Sequence, residues 1–172
     1  MAARRSTGAG DSRRYYEWLD KAQADLQSAR ILQSGGGTWA SVVFHCHQVM
    51  EKALKAYLLF RTGRHFDGHN ITFLIRQAMR QDWVFHDYLD QTPMFNRYYI
   101  ETRYPTDLPF ELKKDEVTQI FRTAESLYQR VAEQVFHNLR KEGGTEVRLG
   151  EGRQRDLPPS PGGSGGETEK TR

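Results

Sequence analysis

Apolar residues recur at steps of three and four along most of this chain, and no stretch alternates apolar with polar long enough to make a useful β-strand. The longest such stretch is Trp39–Phe60, WASVVFHCHQVMEKALKAYLLF. There Trp39, Val42, Val43, Cys46, Met50, Ala53 and Tyr57 form one stripe, which predicts a core helix of about 22 residues. Thr38 stands where an N-cap belongs, and Arg61-Thr62-Gly63 marks the end. Before it, Tyr15, Trp18, Leu19, Ala22, Leu26, Ala29, Ile31 and Leu32 predict a first helix from about Ser12 to Gln33, closed by Ser34 and three glycines. A turn this short packs the two helices antiparallel.

After the glycine-punctuated loop 63–69, Ile71, Phe73, Leu74, Ile75, Ala78 and Met79 predict a short third helix capped by Asn70. A fourth helical stretch is expected from about Val84 to Ile100, kinked or split by Pro93. Pro105 and Pro109 make the stretch from Thr102 to Pro109 a loop. The last helix is expected from about Lys114 to Leu139, with Val117, Ile120, Phe121, Ala124, Leu127, Tyr128, Val131, Val135 and Leu139 on one face. The pattern predicts an all-α, up-and-down antiparallel bundle of four to five helices over residues 13–140. Residues 1–12 and 141–172, rich in Gly, Pro and charge, are expected to be disordered tails.

Composition narrows this little further. A chain of 172 residues, 37% hydrophobic, supports one domain with a real core. One cysteine excludes an intramolecular disulfide and cysteine-based zinc sites. Without a long apolar run or a secretory-type N-terminus, a cytoplasmic location is expected. The net charge of +3 comes from residues 1–14, because residues 15–140 hold 15 basic and 15 acidic groups. The folded part therefore carries no general electrostatic footprint for nucleic acid, although a local patch can still form on one face.

The polar centre of the long helix asks for an explanation, since Gln48, Glu51, Lys52 and Lys55 interrupt a helix that is apolar on several sides. Glu51 and Lys55 have the favourable order for an ion pair four residues apart, which as simple helix support contributes a few tenths of a kcal/mol. His45 and His47 point to different faces, one of them suited to a packed, hydrogen-bonded core position. His65 and His69 are four apart, but the flanking glycines place them in a loop. No carboxylate or cysteine cluster completes a metal site there, so neither a metal nor a cofactor is expected.

Four blocks taken together resemble the HEPN domain family, named for higher eukaryotes and prokaryotes nucleotide-binding. They are Trp18-Leu19-Asp20-Lys21-Ala22-Gln23-Ala24-Asp25-Leu26, the run Phe44–Ala56, His69-Asn70-Ile71-Thr72-Phe73-Leu74-Ile75, and Thr102-Arg103-Tyr104-Pro105. They occur in the family's order and cover about residues 15–135. The resemblance implies an all-α bundle that usually dimerises, with a genomic partner that is often a minimal nucleotidyltransferase in a toxin–antitoxin pair. Many members are metal-independent RNases using an arginine and a histidine separated by four to six residues, facing a second copy across the dimer. Others bind nucleotides or act as partners.

Arg64 with His69, Arg80 with His86 and Arg130 with His137 all fit that spacing, yet 18 arginines and 6 histidines produce about two matches by chance. The family's motif lies on the last long helix, which selects Arg130 and His137. Those two fall about 20° apart on one face and roughly 10 Å apart along it, so they would share a phosphate only across a dimer. In that reading His137 moves the proton of an RNA 2′-hydroxyl while Arg130 steadies the phosphate. In the competing reading His137 complements the helix dipole and Arg130 is a solvated surface residue. Val131 stands where the family usually has a polar residue, which counts against catalysis.

Arg103 and Tyr104 pair a phosphate-binding fork with a stacking ring. With Lys52 and Lys55 they are the candidate nucleotide-binding residues, while Gln48 and Glu51 are expected in a structural network that Arg103 equally could anchor. The preferred expectation is a nucleotide-binding or partner protein of a nucleotidyltransferase, forming a homodimer. The alternative is an RNase toxin.

Overall fold

Helix α1, Tyr15–Ser34, enters a four-residue turn that returns the chain into α2, Trp39–Thr62. The computed structural model describes residues 14–101 and 112–142, so the two expected tails, apart from residues 141 and 142, which are helical, and Arg103 and Tyr104 with their loop, lie outside the described residues. The turn works because Gly36 takes φ 78°, a left-handed conformation that side-chain-bearing residues rarely adopt. Thr38 then caps α2, its Oγ1 accepting the Ser41 N–H at 3.2 Å. The helix ends where Arg61-Thr62-Gly63 mark it. Thr62 stays in its last turn, with its hydroxyl donating to the Leu58 carbonyl at 2.7 Å, and Gly63 closes it at φ 66°.

Helix α2 is the axis of the molecule. Fourteen of its side chains are buried, and it packs against α1, α5, α3 and α4, most extensively against α1. The core gathers Leu19, Leu26, Met50, Leu54, Tyr57, Leu58, Ile120 and Leu127, with Phe85 and Phe95 closing it from the aromatic region. Tyr57 and Phe85 meet ring to ring at 4.6 Å between centroids.

Helix α3, Ile71–Met79, begins at Asn70 as the sequence predicts, with Asn70 Oδ1 accepting the Phe73 N–H at 2.9 Å. The fourth stretch departs from expectation in kind: Trp83–Gln91 is a 3₁₀ segment, and only Thr92–Glu101 is α-helix, α4. Pro93 explains the split. In a continuous α-helix its N–H would bond the Leu89 carbonyl; lacking one, it leaves that carbonyl to the Thr92 backbone N–H and to the Thr92 hydroxyl at 2.8 Å. Pro93 then sits in the first turn of α4, where a missing N–H costs nothing. Helix α5, Lys114–Glu142, extends three residues past its predicted end and lays Val117, Ile120, Ala124, Leu127, Val131 and Val135 on the core. Among the described residues the molecule is an all-α helical bundle without strands.

Candidate functional site

The polar centre of α2 is an arc, not a scatter. At 100° per residue, His47, Glu51, Lys55, Gln48, Lys52 and His45 follow one another around about 160° of the helix. The arc divides into two networks.

The first faces α1. Asp25 lies in the middle of α1, where aspartate has poor helix propensity, and its two oxygens are taken by α2. Oδ1 accepts His45 Nδ1–H at 2.9 Å, and Oδ2 accepts the Lys52 ammonium. Gln48 is half-buried between these α2 positions in register.

The second is buried. The carboxylate of Glu51, 4% exposed, accepts from Lys55 Nζ on one oxygen and from His69 Nδ1–H on the other, both at 2.9 Å. His47, fully buried, donates Nε2–H to the His69 carbonyl at 3.1 Å, which fixes its tautomer, and its Nδ1 is 3.9 Å from Glu51. Tyr99 stacks on both imidazoles, with centroids 4.3 Å from His47 and 5.3 Å from His69. The Glu51–Lys55 pair is therefore more than the surface support its spacing suggests. It is buried, and taking away one partner strands the other's charge.

Lys55 connects this network to the α1–α2 groove, where its ammonium lies 5.4 Å from the centre of the Trp18 ring. The groove, about 190 Å³, is lined by Glu17, Trp18, Lys21 and Lys52. An indole beside the exposed Lys21 ammonium and the Asp25-held Lys52, with the Glu17 carboxylate also in the lining, offers a ring and a cation to a planar ligand that carries negative charge.

Arg130 and His137 are placed elsewhere. Arg130 is half-buried on α5, and its guanidinium bonds Glu133 at 3.1 Å; His137 is exposed near the end of the helix. Neither approaches the α2 networks through any bond or ion pair among the described residues. Of the other spaced pairs, His69, itself 55% exposed, caps the buried Glu51 from outside, whereas His86 stacks on Trp83 at 4.6 Å. Burial, with a smaller contribution from the Glu125 charge, pushes the Cys46 thiol up to about 12, so it stays protonated through the neutral range. Sequence reasoning does not single out Asp25, Tyr99 or Lys21 for a role, and it meets His69 only within the family-like block, as the partner of Arg64 in spacing and as a discarded metal ligand, never as a partner of Glu51. An aspartate in mid-helix is the one available signal for the first of these.

The fold and the site together define a small helical bundle organised around a polar helix with a cationic, aromatic groove at its side. A family model described as HEPN domain matches residues 15–135, and the chain belongs to that family. Among solved structures it is similar to TT1696 from Thermus thermophilus, with 28% identity and a TM-score of 0.64, covering 72% of this chain and 99% of that one. It is also similar to ST0689, an archaeal HEPN homologue, with 25% identity and a TM-score of 0.57, covering 71% and 98% respectively. Comparison with curated proteins gives no match.

Proposed function

We infer that this HEPN protein is a nucleotide-binding partner of a minimal nucleotidyltransferase in a toxin–antitoxin-like pair, working as a homodimer. The observation that supports it is the α1–α2 groove, where Trp18 stands beside Lys21, Lys52 and Lys55. A base stacks on the indole, while the phosphates meet Lys21 and the edge of the Asp25-held Lys52. Lys21 is the exposed cation of the set. Arg103 and Tyr104 are proposed to complete the site.

Titrating ATP and other nucleoside triphosphates by calorimetry tests the reading. Saturable binding that weakens by about tenfold in Trp18→Ala or Lys21→Gln, and again in Arg103→Ala, is the expected result. Absence of saturable binding to the wild-type chain removes the nucleotide half of the proposal. The partner half is tested by co-purification with a nucleotidyltransferase encoded beside it.

The second reading, a metal-independent RNase toxin using Arg130 and His137 across a dimer, is supported by the two side chains sharing one face of α5. The Arg130–Glu133 bond weighs against it. Growth arrest on expression that His137→Ala abolishes decides for the RNase; arrest that persists in His137→Ala decides against it.

A further inference from the structure

Helix α3 divides cleanly into two faces. Ile71, Leu74, Ile75 and Ala78 are fully buried, while Phe73, Arg76, Gln77 and Arg80 occupy an outward arc of about 100°. Together with Asn70 and Thr72 they line a second groove, of about 510 Å³. Its lining contains two guanidiniums, two amides, a hydroxyl and a phenyl ring, and no carboxylate. Phe73 is 44% exposed, unusual for a phenylalanine on a helix with a complete buried face, and Phe66 stands against it at 6.3 Å between centroids.

Positive charge gathers here in a folded part whose charges sum to zero. Residues 63–81 hold Arg64, Arg76 and Arg80 against Asp67, a surplus of two, whereas residues 15–140 as a whole are neutral. The Arg76 guanidinium has no ion pair among the described residues, and Arg80 bonds only the neutral Gln77, at 3.2 Å. Both forks are therefore available to an anion. They stand four residues apart, about 6 Å along the helix, with the phenyl ring on the same arc.

We propose that this face of α3 binds a single-stranded nucleic acid, with Arg76 and Arg80 on successive phosphates and a base stacked on Phe73. The arrangement joins a cationic track to an aromatic platform, as strand recognition without base readout requires. A protein partner fits it less well. Protein interfaces centre on an apolar core, and this groove offers one apolar side chain ringed by polar groups. The proposal is independent of the nucleotide reading, because Trp18, Lys21 and Lys52 take no part in it.

The test is fluorescence anisotropy of the full chain with labelled oligouridylate and oligothymidylate across a salt series. Replacing both arginines, Arg76→Gln with Arg80→Gln, is expected to weaken binding at least about tenfold and to reduce the salt slope by about 0.7 for each arginine. Phe73→Ala is expected to weaken binding about tenfold with the salt slope unchanged, and Phe73→Tyr to restore it. All three side chains are outward-facing, so each variant is expected to keep its helices, which circular dichroism checks. Wild-type affinity in the arginine variants overturns the proposal. So does an arginine effect without a Phe73 effect, accompanied by equally tight binding of inorganic polyphosphate, which marks a bare anion patch. A preference between the two oligonucleotides distinguishes RNA from DNA as the strand.

Discussion

Glu51 and Tyr57 lie six residues apart on α2, both buried, and they illustrate opposite ways of carrying polarity into a core. Glu51 is fully engaged, by Lys55 and His69 at 2.9 Å each. Glu51→Ala is expected to lower unfolding free energy by about 3 kcal/mol, since it leaves the buried Lys55 ammonium without its counter-charge; urea denaturation measures the loss. The Tyr57 hydroxyl is buried with no hydrogen-bond partner among the described residues, so Tyr57→Phe removes a desolvation cost and is expected to be neutral or stabilising by about 1 kcal/mol. A loss comparable to that of Glu51→Ala would mean that the hydroxyl has a partner. The same burial predicts an alkaline limit to stability. Cys46 is raised from 9.0 to about 12 and Tyr57 from 10.0 to about 12, each chiefly by desolvation of the ionised form. A group whose folded value lies above its unfolded value binds its proton more tightly when folded. Its contribution is complete below the unfolded value and is lost as pH rises toward the folded one. Stability should therefore fall from about pH 9 upward, and Cys46→Ala should flatten the first part of that fall in urea titrations at stepped pH.

At the scale of elements, the junction between α3 and α4 depends on three short polar side chains. Asn96 Oδ1 accepts the buried Ile71 N–H at 2.8 Å, its amide donates to the Thr72 hydroxyl at 2.8 Å, and Thr72 meets Thr92 at 2.7 Å. Asn96→Ala strips the Ile71 N–H, a helix-start donor with no intrahelical acceptor, and is expected to cost about 2 kcal/mol. Hydrogen exchange should show α3 opening first, with α1 and α2 unchanged; uniform loss of protection would show that the junction serves the whole bundle. These bonds also mark where the sequence becomes unreadable. Thr38, Asn70, Gly63 and Pro93 act within four residues of themselves, so the starts, stops and the split were legible from their side chains. The 3₁₀ character of Trp83–Gln91 was not, because the segment is held by partners far along the chain: the Tyr88 hydroxyl meets the Ser126 hydroxyl at 3.0 Å, and Gln91 Oε1 accepts from Thr123. The candidate site behaves likewise. Glu51 and Lys55 are visible as a pair at spacing four, but that pair is buried only because His69, 18 residues on, and Tyr99, 48 residues on, fold over it. No local pattern encodes those distances.

Across the whole molecule, α2 separates the two grooves. One lies where α1 packs on α2, and the other on the outward face of α3, which packs on α2, the 3₁₀ segment and α4. They share no lining residue. Each is formed by side chains fixed to helices whose buried faces belong to one core. Ligands that fill them without repacking that core have no differential contact through which to communicate, so their binding free energies should add. Saturating ATP is accordingly expected to leave oligouridylate affinity within about twofold, and by linkage the oligonucleotide should leave ATP affinity equally unmoved. Lys21→Gln should weaken only the first ligand and Arg76→Gln only the second, with the double variant showing the sum of the two effects. Competition between the ligands would instead mean that one groove takes both, and Phe73→Ala with Trp18→Ala, each titrated against each ligand, would identify which. A chain whose folded part carries no net charge can hold two anionic ligands at once because each groove supplies its own cations: Lys21 with the edge of Lys52 in one, Arg76 and Arg80 in the other. Raising salt should weaken both ligands, the oligonucleotide more steeply for each arginine it engages.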